Sequence, residues 1–236
     1  MKLWPRVFFA LLFVLANTLL ATAQTTTTDP STNEPPAESV TPQTSDNPFR
    51  LKSGDNEFGF WAGFSPKATT VFGGLHEDEA DDRKFFLAAF RYGRTLAAND
   101  SLALQYTLDA VPIAIATGVI VSRTTVGSVT TFQRETAYGA GVTPLGLQLD
   151  FLNSNKIHPF IHVNGGLLIF NKSVPIEDSG HFAFVGEAGG GVRIFTSDRR
   201  AVTIGLRFHH ISNGGTAGSN RGLNQFVIYG GFSWFK

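Results

Sequence analysis

Large apolar residues alternate with other residue types along most of the chain after residue 55. The clearest case is residues 101–111, where one face would carry Leu102, Leu104, Tyr106, Leu108 and Ala110. A period of two is that of a β-strand, whose successive side chains point to opposite faces. Further stretches of strand length lie at residues 57–65, 84–94, 136–150, 158–170, 181–195, 201–212 and 223–235. The pattern therefore predicts an all-β fold, an eight-stranded antiparallel barrel.

Two kinds of barrel fit this alternation: a soluble one with an apolar interior, and a transmembrane one with an apolar exterior. The composition of the polar faces favours the second. Besides glycine and other small residues, these faces carry Arg91, Gln105, Asp109, Asp150, Glu187, Arg193 and Arg207. A face in contact with water would be rich in Lys and Glu, whereas small residues and balanced charges suit a crowded, hydrogen-bonded lumen. We therefore expect a transmembrane β-barrel.

The first 54 residues differ from the rest of the chain. Residues 1–23 combine a basic start, an apolar run and the small residues Ala21-Thr22-Ala23, which is typical of a cleaved secretory signal peptide. Residues 24–54 are rich in Thr, Pro and Ser and poor in large apolar side chains, which predicts a disordered tether. The barrel domain is then 55–236. The chain has no cysteine, so its fold holds without disulfides.

The connections between the eight stretches alternate between long and short. The long ones are residues 66–83, 112–135, 171–180 and 213–222. Outer-membrane barrels have short periplasmic turns and longer external loops, so the chain is expected in the outer membrane of a Gram-negative bacterium. The end of the seventh stretch then lies in the outer leaflet, where lipopolysaccharide resides.

The seventh stretch ends in His210-Ile211-Ser212-Asn213, which carries the strongest indication of chemistry. Alternation from Val202 to Phe208 puts the His210 imidazole and the Ser212 hydroxyl on the same apolar face. Serine is a weak nucleophile and needs an adjacent base, which a histidine supplies. Polar side chains that face lipid are costly, which favours a functional role. Asn224, on the outward face of the eighth stretch, is expected across from His210.

These residues resemble a known family. The motif His210-Ile211-Ser212-Asn213, the segment Asn220-Arg221-Gly222-Leu223-Asn224 and the final strand 229–235 are similar to the lipid A 3-O-deacylase (acyloxyacyl hydrolase) family. A looser likeness extends over most of the barrel. The resemblance implies an eight-stranded outer-membrane barrel that hydrolyses the 3-hydroxyacyl ester at the 3 position of lipid A, without a cofactor.

The resemblance also implies roles for single residues. Ser212 would be the nucleophile and His210 the general base, while the oxyanion donors would be Asn213 and the amides of Gly214 and Gly215. Characterised deacylases of the family carry a Glu that orients the histidine, and the matching position here is Asn224. An Asn carbonyl can accept the imidazole hydrogen bond but offers no charge to stabilise the imidazolium.

Other polar residues are expected to have structural roles. Alternation turns His209 toward the lumen, and Glu187 and Arg193 are expected to form a charge network there, because buried polar groups need partners. The acidic segment from His76 to Arg83 suits either a divalent cation or a solvated external loop, and the pattern favours the loop.

The sequence thus predicts an outer-membrane esterase that acts on lipid A. The alternative is a small non-catalytic outer-membrane barrel with a structural, adhesive or narrow-channel role. The expected partners are lipopolysaccharide and the outer membrane, and a homodimer stays open. A formal net charge of +0 gives no indication of nucleic acid binding.

Overall fold

The computed structural model describes residues 47–72 and 74–236. The predicted signal peptide and tether residues 24–46 lie outside the described residues. The strands are β1 (Asn56–Ser65), β2 (Ala68–Thr69), β3 (Phe85–Ala98), β4 (Leu102–Val126), β5 (Val129–Phe151), β6 (Ile157–Phe170), β7 (Phe182–Ser197), β8 (Arg200–Ser212) and β9 (Leu223–Phe235). In the part of the chain that the structure describes, a short helix, α1 (Glu77–Ala80), lies between β2 and β3.

The long strands form a closed antiparallel ring. Each of β3 to β8 pairs with the next strand, and β1 pairs with β3. β1 also pairs with β9, from Glu57 opposite Phe235 to Phe64 opposite Ile228. The two-residue strand β2 lies beyond β1 on the same edge of β9. The eight predicted stretches correspond to β1 and β3–β9, so the predicted eight-stranded barrel is confirmed. In the described ranges, no helix is long and apolar enough to cross a membrane.

The two faces of the barrel differ as the alternation predicted. Apolar side chains such as Phe60, Ile161 and Ile204 point outward and are each more than half exposed. Gln105 and Asp109 point inward and are almost fully buried. An apolar exterior around a polar interior is the arrangement of a membrane barrel, because the exterior contacts lipid and the closed ring satisfies every strand's backbone.

Ion pairs fill the lumen. The Arg91 guanidinium donates two hydrogen bonds to the Asp109 carboxylate, both of 2.7 Å. Arg193 donates to Glu57 at 2.8 Å and to Asp150 at 2.9 Å. Each of these charged groups has its partner within the interior, which offsets the cost of removing it from water.

Glu187 is the centre of a third network, in line with the predicted lumen role. Its carboxylate accepts hydrogen bonds from Arg207 at 2.9 Å, from His209 Nδ1 at 2.8 Å and from Asn164 Nδ2 at 2.7 Å. All four side chains are buried. The Glu187 carboxylate is therefore the anion that neutralises the buried charge of Arg207.

Glu187→Gln is expected to destabilise the folded barrel by about 3–5 kcal/mol, because removing one partner of a buried ion pair leaves the other uncompensated. The measurement is the urea concentration at which the detergent-solubilised barrel unfolds, read by tryptophan fluorescence. Glu77→Gln, at an exposed position of α1, is the control and should unfold like the wild type. Equal midpoints for the two variants would show that Arg207 does not need Glu187.

The connection predicted at residues 112–135 is not a loop. β4 and β5 continue through it as a long hairpin that ends in a turn at Gly127 and Ser128, with a positive φ of 63° at Gly127. The prediction was wrong because apolar alternation fades here, while the β-branched residues still favour extended backbone. Thr125 and Thr130 join the two strands through a hydroxyl contact of 3.1 Å near the tip.

Residues 47–54, the last part of the predicted tether, pack against one end of the barrel. Leu51 is fully buried among Phe195, Phe235 and other apolar side chains at one end of the barrel. Its backbone N–H donates to Asn153 Oδ1 at 3.0 Å, and Asn153 Nδ2 donates back to its carbonyl at 2.9 Å. Leu51 is one of the few large apolar residues in this segment, and its burial fixes the segment.

Candidate active site

The carboxyl end of β8, which is the end predicted to be external, carries the predicted catalytic pair on the outward face. His210 lies directly opposite Asn224 of β9, and Ser212 lies opposite Phe184 of β7. The same face of β8 carries Ile204, which is 54% exposed. His210 and Ser212 therefore share the lipid-facing side, as alternation predicted.

A hydrogen bond of 2.5 Å joins His210 Nδ1 to Asn224 Oδ1. The Asn224 amide is held on its other side, where Nδ2 donates to the Val71 carbonyl at 3.0 Å. Because Val71 offers only an acceptor to this amide, the Asn224 oxygen faces the imidazole, and His210 Nδ1 must carry the proton. His210 Nε2 is then the basic nitrogen. The predicted juxtaposition of His210 and Asn224 is confirmed, and their roles stay predictions.

Ser212 lies two residues beyond His210 on the same face, about 6.8 Å further along the strand. Its hydroxyl makes no hydrogen bond with any described residue. A serine hydroxyl rotates freely, and catalytic hydrogen bonds are often long until substrate is bound.

The predicted oxyanion donors follow Ser212 in a tight turn, and most of them already have partners. The Asn213 side chain donates to the Ser179 carbonyl at 2.7 Å and to the Ser219 carbonyl at 2.6 Å. Its oxygen accepts the Gly215 N–H at 2.8 Å. The Gly214 N–H donates to no other residue of the described chain. Of the predicted groups, the Gly214 N–H is therefore the one that this conformation leaves available.

The connection between β1 and β3, residues 66–84, forms part of the site, which the sequence did not indicate. We call it external loop 1. Its strand β2 places Thr69 opposite Asn224, and its Val71 carbonyl holds the Asn224 amide. The Phe72 ring packs edge-on against Phe208, with the ring centroids 5.3 Å apart. A backbone carbonyl has no residue-type signature, so its role could not be found from the pattern of side chains.

Gly222 closes the other side of the imidazole. A Cβ atom at this position would lie 2.7 Å from His210 Cε1, closer than side chains can approach. Glycine is therefore required here for the loop to lie against the ring.

Aromatic rings surround the pair on the outward side. Phe208 packs against Phe226 with ring centroids 5.5 Å apart, and Phe182 packs against Phe184 at 4.9 Å. Phe184 and Phe226 are nearly half exposed. The polar site is thus bordered by an apolar surface at the depth of the lipid.

The acidic segment from His76 to Arg83 is only partly the predicted solvated loop. Glu77, Asp78, Asp81 and Asp82 are exposed, but Glu79 is buried. Its carboxylate pairs with Arg123 and Arg221, which are remote in sequence. Among the residues described, no group of three or more His, Cys, Asp or Glu side chains is placed to hold a metal ion.

Comparison with known proteins identifies the family of the chain. Residues 99–233, more than half of the chain, match the family described as "Lipid A 3-O-deacylase (PagL)". The chain belongs to the lipid A 3-O-deacylase family. The matched range includes His210, Ser212 and Asn224 but not external loop 1. Membership of this family, together with the closed barrel, places the chain in the outer membrane of a Gram-negative bacterium.

Solved outer-membrane barrels are similar to the chain at low sequence identity. The outer membrane enzyme PagL is 14% identical with a TM-score of 0.48, over 73% of this chain and 97% of that one. OprG from Pseudomonas aeruginosa is 11% identical with a TM-score of 0.44, over 79% and 98%. Neisserial surface protein A is 13% identical with a TM-score of 0.42, over 77% and 97%. The comparison with curated proteins gave no match.

Proposed function

We propose that the protein is an esterase that hydrolyses the 3-hydroxyacyl ester at the 3 position of lipid A. The observation that carries this proposal is the hydrogen bond from His210 Nδ1 to Asn224 Oδ1, on the lipid-facing side of β8 and two residues from Ser212. The bond leaves His210 Nε2 as a base on the outward face of the barrel, which a lipid can reach.

In the first step, Ser212 Oγ attacks the ester carbonyl while His210 Nε2 takes the hydroxyl proton. The tetrahedral intermediate collapses, the sugar oxygen leaves, and the imidazolium returns the proton to it. In the second step, water activated by the same nitrogen attacks the Ser212 ester. The products are a free 3-hydroxy fatty acid and lipid A with a free 3-hydroxyl group.

The Gly214 N–H is the proposed main donor to the negative oxygen of the intermediate. Gly214 follows Ser212 by two residues, and the Asn213 side chain holds the turn through its hydrogen bonds to Ser179 and Ser219. A donor fixed in this way stabilises charge as it develops without first having to reorganise. Asn213 is then a positioning residue for the turn.

The exposed aromatic side chains form an apolar surface on which the acyl chain packs. Phe184 is next to Ser212, and Phe208 and Phe226 line the opposite side of the pair. An acyl chain that packs on these rings remains in the membrane while its ester reaches Ser212, so the substrate enters laterally from the outer leaflet.

Expression of the protein in a Gram-negative host is expected to remove one 3-hydroxyacyl chain from lipid A. The measurement is mass spectrometry of lipid A from cells with and without the protein, and the loss should equal the mass of the 3-position chain. A loss of a different chain would reassign the ester. Unchanged lipid A of several types, with the barrel correctly inserted, would contradict the proposal.

A non-catalytic barrel is the second candidate, and one observation favours it. The residue that holds the His210 imidazole is the neutral Asn224, which supplies no charge to the imidazolium. The lipid A measurement decides between the two candidates.

A further inference from the structure

Four arginine side chains converge on Glu79 at the external end of the barrel. We call Arg83, Arg123, Arg134 and Arg221 the arginine cluster. The Glu79 carboxylate accepts hydrogen bonds from Arg123 at 2.5 Å and from Arg221 at 3.2 Å. Its backbone carbonyl accepts one from Arg83 Nε at 2.5 Å and one from Arg134 at 3.4 Å. External loop 1, the β4–β5 hairpin and the connection before β9 therefore meet at Glu79.

The positive charge in this cluster exceeds the buried negative charge. Arg134 donates only to backbone carbonyls, including those of Asp81 at 2.8 Å and Asp78 at 2.7 Å. Arg83 is 1% exposed, and one of its terminal nitrogens has no hydrogen-bond partner in the described part of the chain. Burial and the nearby Arg134 charge together lower the pKa of Arg83 to about 10, so it remains charged at neutral pH. Of the residues described, Glu79 is the one buried anion near these four cations, so part of their charge is uncompensated, and an added anion would offset that cost.

The cluster lies next to the candidate active site. Arg221 is followed by Gly222, where an added Cβ atom would lie 2.7 Å from Cε1 of the His210 ring. Arg123 and Arg221 also remain accessible, since their side chains are 36% and 30% exposed. An anion that bound both guanidinium groups would sit beside the catalytic pair, at the level of the lipid headgroups.

We propose that the arginine cluster binds a phosphate monoester of the lipid A headgroup and so positions the ester for Ser212. This inference rests on the proposed function, because lipid A is a phosphorylated disaccharide to which the acyl chains are esterified. Guanidinium groups bind phosphate through charge-assisted, often bidentate hydrogen bonds, and two accessible arginines supply both charge and direction.

The exposed carboxylates of external loop 1 do not remove this attraction. Glu77, Asp78, Asp81 and Asp82 point into solvent, where charge interactions are weak and screened by salt. The arginines lie around a buried carboxylate, where the effective dielectric constant is lower and their field is stronger.

The test measures binding apart from hydrolysis, with the full-length Ser212→Ala protein in detergent. Microscale thermophoresis would compare bisphosphorylated lipid A with the same lipid A after removal of its phosphates. We expect Arg123→Gln and Arg221→Gln each to weaken binding of the phosphorylated form by about 10-fold, and to leave binding of the dephosphorylated form unchanged. The control is Arg200→Gln, an exposed arginine at the opposite end of the barrel, which should change neither.

Equal binding of the two lipid forms, or equal weakening of both by the arginine substitutions, would overturn the inference. Inorganic phosphate provides a second arm. If it binds with the same arginine dependence while the two lipid forms bind equally, the cluster takes free anions rather than a headgroup. Phosphate-dependent lipid binding by a wild type that hydrolyses no lipid A would support the cluster and contradict the proposed function instead.

Discussion

Replacing Ser212 by alanine is expected to lower the rate of lipid A deacylation by about 1000-fold or more, because the proposed mechanism has no other nucleophile. The outward position of Ser212 makes this a clean test. Its hydroxyl makes no hydrogen bond in the described structure, so its removal costs the fold little.

The measurement is the initial rate of 3-hydroxy fatty acid release from purified lipid A in detergent. Ser197→Ala is the matched control, because Ser197 is an exposed serine at the opposite end of the barrel. Both variants should keep the difference in gel mobility between unheated and boiled samples that shows a folded barrel. Equal rates for Ser212→Ala and wild type would place the nucleophile elsewhere.

The alternation of side chains was enough to predict the barrel, because every membrane-spanning strand meets lipid on one face and a packed lumen on the other. The prediction of His210 and Ser212 as outward and His209 as inward follows from the same constraint. His209 donates to Glu187 inside the lumen, whereas His210 bonds to Asn224 outside it.

The alternation predicts less about the parts of the chain outside the membrane, because strands there have no face in contact with lipid. The end of the β4–β5 hairpin is held by backbone pairing and β-branched residues without apolar alternation, and the pattern therefore predicts a loop there. Glu79 lies within an acidic segment whose pattern predicts exposure to solvent. It is buried instead, because it pairs with Arg123 and Arg221 from two other parts of the chain. Contacts of this kind are set by the tertiary fold and leave no local pattern.

Part of the candidate site could not be predicted from the sequence either, because it depends on tertiary contacts. Asn224 was predicted opposite His210 because strand pairing determines which residues are neighbours. The Val71 carbonyl that fixes the Asn224 amide belongs to external loop 1, whose path no periodicity describes. The backbone group that sets the tautomer of His210 therefore comes from the least regular segment of the site.

Asn224→Ala is expected to slow deacylation by roughly 10-fold to 1000-fold, because His210 would lose the acceptor that keeps its proton on Nδ1. The effect should fall on kcat rather than KM, since Asn224 contacts the imidazole and not the lipid. Asn220→Ala is the matched control, at an exposed asparagine of the connection before β9, and should leave the rate unchanged. Full activity in Asn224→Ala would assign the orientation of His210 to another group.

Asn224→Glu tests whether a charged hydrogen-bond partner for His210, which this chain lacks, raises the rate of deacylation. A carboxylate at this position would accept the same imidazole hydrogen bond and stabilise the imidazolium, so we expect a rate above that of the wild type at and above neutral pH, where the carboxylate is charged. A carboxylate has no proton for the Val71 carbonyl, which Asn224 Nδ2 now satisfies at 3.0 Å. External loop 1 should therefore loosen, and amide hydrogen exchange at residues 68–72 should become faster in this variant. A faster enzyme with a looser loop would show that charge on the histidine's partner matters more for the rate than the loop contact. A slower enzyme with the same loosening would show that the Val71 contact is needed to hold the pair in place.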